Sequence, residues 1–384
     1  MKNPMLKTRI KVMAAPNRYV IGPGAVKELG RRKGILGTKA LVMGGERSIN
    51  SVEKAMKEDF ETHGLEIVHM EKGVRYCTKP EIDRLTAKVK QTGADFVVGV
   101  GGGSIMDLAK AVASKEYGAG KPIALINTIP STDAPCSALS VQYDAKHVVE
   151  AVLFYYRSPE LVIVPTDISV KAPAKWLVAG MGDALATRFE AEACAEARAG
   201  NALIDGGLPP FTATRLAQLC YETIYNYGYQ AKLANERQAV TEAYENVAQA
   251  NTLLSGLGFE SGGLGAAHGI HDGLTAAPGR MKAPKPEHGD LVCIGTLAQL
   301  IMENRPKALI EEVFGFALSV GLPVTLEEIG ATNDDLQHCM SITCNPGHPY
   351  AHNEPFEMTV DRCVDALKGV DALGRAYRDK FMRR

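Results

Sequence analysis

"DFVVGVGGGSIMDLAKAVAS" (residues 95–114) joins a short apolar run to three consecutive glycines and then to a segment with apolar residues at Ile105, Leu108, Ala109 and Val112. The spacing of the last part predicts a helix, and the β-branched first part a buried strand. Glycines at such a strand-to-helix turn let backbone N–H groups come close to a ligand, and the start of a helix favours negative charge. Gly101, Gly102, Gly103 and Ser104 therefore read either as a phosphate cradle or as a plain tight connection. The run has neither the dinucleotide fingerprint G-x-G-x-x-G nor the G-K-[ST] ending of a Walker A loop.

Similar runs flank it: "KALVMGG" (39–45), "LEIVHM" (65–70), "PIALINTIP" (122–130) and "LVIVPT" (161–166), separated by amphipathic segments. Strands alternating with helices predict βαβ units and a parallel sheet. The run at 122–130 leads into "NTIPSTDAPCSALSVQYD" (127–144), rich in small polar side chains such as Thr128, Ser131, Asp133 and Ser137. Loops beyond the carboxyl ends of parallel strands are where open α/β sheets bind ligands, and hydroxyls suit ribose and phosphate. Two such loops after successive strands make a nucleotide the expected ligand. From Trp176 onward, long stretches such as "WLVAGMGDALATRFEAEACAEARA" carry helical spacing and few strand signals. The switch falls near "VPTDISVKAPAKW". The expected organisation is an α/β nucleotide-binding domain over 1–165 and an all-helical domain over 166–384.

The chain has 384 residues, 46% of them hydrophobic, enough for two domains. Its formal net charge of −1 provides no electrostatic footprint for nucleic acid or anionic lipid. No run reaches the roughly 20 apolar residues of a membrane span. Eight scattered cysteines without a C-x-x-C pair predict free thiols, hence a reducing, cytoplasmic compartment, and the near-zero net charge points to a small-molecule partner.

"GGLGAAHGIHDGLT" (262–275) sets His268 and His271 in a run that otherwise reads as interior, and "KPEHGDLVCIG" offers His288 at the start of a further helix. Asp183 is alone in "VAGMGDALATRFEA", where an unpaired carboxylate is costly to bury. One carboxylate and two imidazoles leave a fourth position open, the coordination of a catalytic zinc. By spacing alone Asp183 is as well explained by a partner such as Arg188. His63, His69, His147, His338, His348 and His352 read as ordinary hydrogen-bonded rings.

"RYVIGPGAVKELG", "GGGSIMDLAKAVA", "IPSTDAPCSALSVQY", "GMGDALATRFEA", "ESGGLGAAHGIHDGLT", "HGDLVCIGTLAQL" and "HNEPFEMT" occur in order along nearly the whole chain. In these motifs the sequence resembles the glycerol dehydrogenases of the iron-containing, or type III, alcohol dehydrogenase family. The resemblance implies an N-terminal domain binding NAD, a helical domain holding a metal, and a catalytic cleft between them. It assigns the metal to Asp183, His268 and His288. Iron-binding relatives add a histidine four residues after the aspartate, where this chain has Thr187, which favours Zn2+ over Fe2+. Cofactor contacts fall on Gly101, Gly102, Gly103, Ser104 and Asp107, and on Thr128, Ser131, Ser137, Leu139 and Tyr143. Asp133 matches the aspartate that meets the polyol, and His271 becomes a proton relay or a nicotinamide neighbour. A homo-oligomer, octameric in relatives, is also implied.

The implied reaction oxidises the secondary hydroxyl of glycerol, or of a related small vicinal diol, to a ketone. Other polyols and hydroxyacids remain alternatives. So does a cyclising lyase of the 3-dehydroquinate synthase type, for which the basic residues available are Arg188, Arg280, Lys282 and Lys285. In "LVMGGERS", Gly44, Gly45 and Glu46 stand where NAD-using relatives often carry an acid for the ribose, so NADP stays open beside NAD.

Overall fold

The computed structural model describes residues 8–145, 149–281 and 285–382; His147 and Lys282 lie outside them. Among the described residues the strands are β1 (Arg18–Gly22), β2 (Lys39–Gly44), β3 (Glu66–Lys72), β4 (Phe96–Gly101), β5 (Ile123–Asn127), β6 (Leu139–Tyr143), β7 (Val149–Phe154) and β8 (Leu161–Pro165). Six of them form a parallel sheet in the order β1-β8-β5-β4-β2-β3, and β6 and β7 form an antiparallel hairpin.

Side chains alternate across a strand, so each strand feeds two cores. Ala40, Val42, Val98 and Ile126 pack with Ile49, Val52, Met56 and Phe60 of α1 (Glu46–His63). Leu41, Met43, Val97 and Leu125 pack with Ile82, Leu85 and Val89 of α2 (Lys79–Thr92) and Met106 and Val112 of α3 (Gly103–Ala113). Burial on both faces is why these strands read as continuous apolar runs. β1 and the hairpin have no counterpart in the sequence reading. β1 is an edge strand with no fully buried residue, and β6 alternates half-buried with buried positions, so both give a diluted signal.

Beyond β8 the regular structure is helical: α4 (Ala174–Ala197), α5 (Phe211–Glu236), α6 (Glu242–Gln249), α7 (Ser255–Gly262), α8 (Ala266–Leu274), α9 (His288–Met302), α10 (Lys307–Val320), α11 (Leu336–Thr343) and α12 (Val360–Met382). A π-helical turn, Ala250–Leu254, links α6 to α7. None of these helices is long and apolar enough to cross a membrane.

Two compact units emerge. One comprises Ala14–Leu177 with Leu233–Gly256; the other takes the N-terminal arm up to Met13, Val178–Lys232 and the chain from Leu257. A single cut at 165/166 leaves every described strand on one side but does not separate these units, because α6 and the π turn pack on the sheet. Tyr244 meets Ser169 (2.9 Å), Glu245 accepts from Thr166 (2.8 Å) and Thr252 meets Tyr19 (2.7 Å). In the helical unit α9 is the central element. Apart from His288, Asp290 and Ile301 its residues are buried, and it packs against α8, α10 and α12.

Candidate metal centre and nucleotide loops

Asp183 lies in the middle of α4, His268 in the first turns of α8, and His288 is the first residue of α9. Each start is fixed locally. Glu287 and Asp290 form a reciprocal capping box at the beginning of α9. The first N–H groups of α8 are taken by buried carboxylates: Gly265 and His268 donate to Glu190 Oε1 (2.9 Å each), and Ala266 donates to Glu354 Oε1 (2.7 Å). Close backbone approach completes the arrangement, since a Cβ on Gly289 would lie 1.7 Å from the Ala179 carbonyl oxygen.

The ligand atoms of Asp183, His268 and His288 all fall within 4.8 Å of one another. Both rings turn Nε2 toward Asp183 Oδ1, each at 3.3 Å. The outward nitrogens are committed. His268 Nδ1 is 2.7 Å from Glu190 Oε2 and donates to it, which leaves the Nε2 lone pair of the neutral ring pointing inward. His271 Nδ1 donates to Asp272 Oδ1 (2.9 Å), so His271 Nε2 accepts from His288 Nδ1 (2.9 Å), and the inward nitrogen of His288 is again a lone pair. With both rings neutral, two imidazole lone pairs and a carboxylate oxygen converge, and they repel one another unless a proton or a metal cation lies among them. The donor set therefore fits a divalent metal ion with carboxylate-backed histidine ligands. Asp183 is nearly inaccessible while the His288 side chain is 39% exposed, so the trio opens on the His288 side.

Electrostatics agree with that fit. Burial works to raise the Asp183 pKa, but His288 and the hydrogen bonds of both rings hold it well below the usual carboxylate range. Burial depresses His268, yet Glu190 and Asp183 overcome this and hold the ring well above its ordinary value, so the inward Nε2 attracts positive charge, a proton that a metal ion would displace to reach the lone pair. Burial and the neighbouring His288 push His271 down to about 4. Asp272 also accepts from Tyr350 and faces His348 Nε2 (3.3 Å), so a polar chain runs outward from His288 through His271. Arg188 pairs with Glu192 (2.9 Å). Glu190 was not singled out in the sequence; its signal is the seven-residue step from Asp183, two turns along one face of α4.

In the sheet unit, Gly101 ends β4, Gly102 caps α3, and Gly103 and Ser104 open it. A Cβ on Gly103 would lie 2.8 Å from Thr132 Oγ1, and that buried hydroxyl has no hydrogen-bond partner among the described residues. A backbone cradle beside an orphaned hydroxyl fits a phosphate-bearing ligand. Thr128 donates to Ser48 (3.2 Å), Ser131 is buried in the second loop, and Leu139 and Tyr143 lie on β6. Asp107 and Ser137 face inward. Asp107 accepts from the Val141 N–H (3.2 Å) and lies 3.2 Å from Lys110 Nζ, which donates to Ser137 Oγ (3.2 Å) and to the carbonyls of Ala134 (2.6 Å) and Leu139. Lys110, unnoticed in the sequence, is the buried cation that holds the second loop.

The family model for iron-containing alcohol dehydrogenase matches residues 16–166. A glycerol dehydrogenase of Thermotoga maritima is 44% identical over 368 residues, spanning 95% of this chain and 98% of that protein. A glycolaldehyde reductase of Halobacterium salinarum is 40% identical, spanning 96% and 99%. The solved structure of a glycerol dehydrogenase from Schizosaccharomyces pombe superposes with a TM-score of 0.87 at 30% identity, covering 98% of this chain and 94% of that one.

Proposed function

The chain belongs to the iron-containing alcohol dehydrogenase family, and from that premise we propose that it oxidises the secondary hydroxyl of glycerol, or of a similarly small vicinal diol, to the ketone, dihydroxyacetone for glycerol. The two electrons and one hydrogen leave as hydride to a nicotinamide cofactor and the hydroxyl proton leaves to solvent. The observation that carries this reading is the convergence of Asp183, His268 and His288 with their outward nitrogens already committed. Zinc is the favoured metal, because Thr187 stands where iron-binding relatives carry a fourth ligand; held by Asp183, His268 and His288, such an ion would lower the pKa of the substrate hydroxyl as it lowers that of bound water, which falls to about 7.

The protein's own groups supply the rest. Glu190 fixes the tautomer and direction of His268, and Asp272 does the same for His271. His271, kept neutral by burial beside His288, is placed to hold and pass a proton toward Asp272 and Tyr350. The turn at Gly101, Gly102 and Gly103 with Thr132 offers donors to the cofactor pyrophosphate, and Asp133 takes the far end of the polyol. We take NAD as the cofactor; Glu46 and Arg47, exposed at the start of α1, are the residues through which NADP would be admitted or refused. The eight cysteines stand as thiols, in keeping with a cytoplasmic enzyme, and a homo-oligomer, octameric by resemblance, belongs to the same reading.

The glycolaldehyde reductase among the relatives favours a second reading, reduction of a small hydroxyaldehyde by the same site. The lyase alternative is not favoured, as Arg188 is engaged with Glu192. The deciding experiment assays diols, hydroxyaldehydes and hydroxyacids with NAD and NADP, before and after chelation, in wild type, His268→Ala and His271→Ala. His268→Ala should lose metal and turnover together. His271→Ala should keep the metal and lose rate, by roughly 10²–10⁴-fold. Full turnover by a metal-free His268→Ala protein would remove the metal from the reaction.

A further inference from the structure

The π-helical turn Ala250–Leu254 interrupts what is otherwise one continuous helix from α6 to α7. Such turns concentrate at functional sites because they redirect the side chains that follow. Here the turn and the residue after it send polar groups into the loop that carries Asp133. Asn251 Nδ2 donates to the carbonyls of Pro130 (2.9 Å) and Leu177 (3.0 Å), and Ser255 Oγ donates to Asp133 Oδ2 (2.6 Å). Asn251 and Ser255 are 1% and 0% exposed, so neither bond competes with water. The backbone is equally close, since a Cβ on Gly256 would lie 2.8 Å from Cys136 Cβ and 3.3 Å from the Asp133 carbonyl oxygen. Asn251 Oδ1 is buried without a partner among the described residues, a penalty the fold would shed if this side chain served only to fill space.

We propose that the π turn is a brace that aims Asp133, with Ser255 the positioning residue for the polyol and Asn251 pinning the loop backbone at Pro130. The inference rests on the reading that Asp133 contacts the far hydroxyl of the substrate. A carboxylate rotates readily about its last torsion, and a charge-assisted O–H···O bond to one oxygen stops that rotation. Asp133 is thereby set for a substrate with a third hydroxyl, at no cost to one that lacks it. Ser255 acts through Asp133, and so its loss should be felt selectively.

The test compares kcat/KM for glycerol and for propane-1,2-diol, which lacks one terminal hydroxyl, in wild type, Asp133→Asn, Ser255→Ala and Ser255→Cys, with KM for the nicotinamide cofactor and Tm read alongside. Ser255→Ala should lower kcat/KM for glycerol about tenfold or more, mainly through KM, with propane-1,2-diol and cofactor constants within about twofold of wild type. Ser255→Cys, near-isosteric but a poor donor, should move the same way and stands in if the alanine variant does not fold. If Asp133→Asn erodes the preference for glycerol while both Ser255 variants keep it, the brace is overturned and the role of Asp133 stands. If Asp133→Asn also keeps the preference, the reading of Asp133 fails and the brace falls with it. Parallel losses on both diols and the cofactor would mark Ser255 as merely structural and likewise overturn the proposal.

Discussion

Glu190 and Glu354 both cap α8 and are both buried, yet they differ in what their second oxygen meets. Glu190 Oε2 has an imidazole N–H to accept (2.7 Å), while Glu354 Oε2 has no partner among the described residues. Burial and the nearby Glu303 charge raise the Glu354 pKa well above its ordinary value. A carboxyl whose folded pKa exceeds its unfolded value, about 4.5, contributes stability that is fully present below that value and is lost as pH rises through the folded pKa. Glu354→Gln keeps an acceptor for the Ala266 N–H and never ionises. Its Tm should therefore gain on wild type steadily as pH rises from about 5 to about 9, and a difference that does not change with pH would show that Glu354 is ionised throughout. Residues of this kind were hardly legible in the sequence. Asp183 and His268 were conspicuous as titratable groups in apolar runs, whereas Glu190 and Glu354 sit among other polar residues, and only three-dimensional burial distinguishes them.

The contact between α4 and α9 is what lets two candidate ligands far apart in sequence, Asp183 and His288, meet. It depends on Gly289, whose Cβ would collide with Ala179 and come within 3.0 Å of the Asp183 amide nitrogen. Gly289→Ala should destabilise the protein by about 1–3 kcal/mol and weaken metal binding, read by thermal melting and chelator competition. Gly315→Ala on α10, where nothing lies within 4 Å of the new methyl, should instead be neutral or stabilising by up to about 1 kcal/mol. Equal effects of the two substitutions would show that close packing at Gly289 is not what holds the ligands. The doubly buried strands β2, β4, β5 and β8 were readable as apolar runs, and α9 as a helix beginning at His288. The π turn was not, because "AQANTLLSGLG" keeps helical spacing through it and the extra residue leaves no compositional trace.

Three candidate ligands drawn from α4, α8 and α9 would make a bound metal ion a cross-link within the helical unit. An ion bound by the folded state alone stabilises it by about 2.7 kcal/mol at one hundred times its dissociation constant. Calorimetry of the chelated protein should accordingly show a lower Tm that zinc restores, and an unchanged melting curve would mean that the trio holds no ion. The division into units was legible only in part, since periodicity tells which face of a helix is apolar but not which neighbour covers it. Hence α6, helical like everything around it, gave no sign that it belongs with the sheet. That membership carries a consequence for synthesis. Because the sheet unit draws its last segment from residues up to Gly256, a nascent chain emerging from the ribosome cannot complete that unit when β8 appears. It must wait while about ninety further residues are made, and over that interval the apolar surface that α6 and the π turn will cover stays open, the condition in which partly folded chains aggregate.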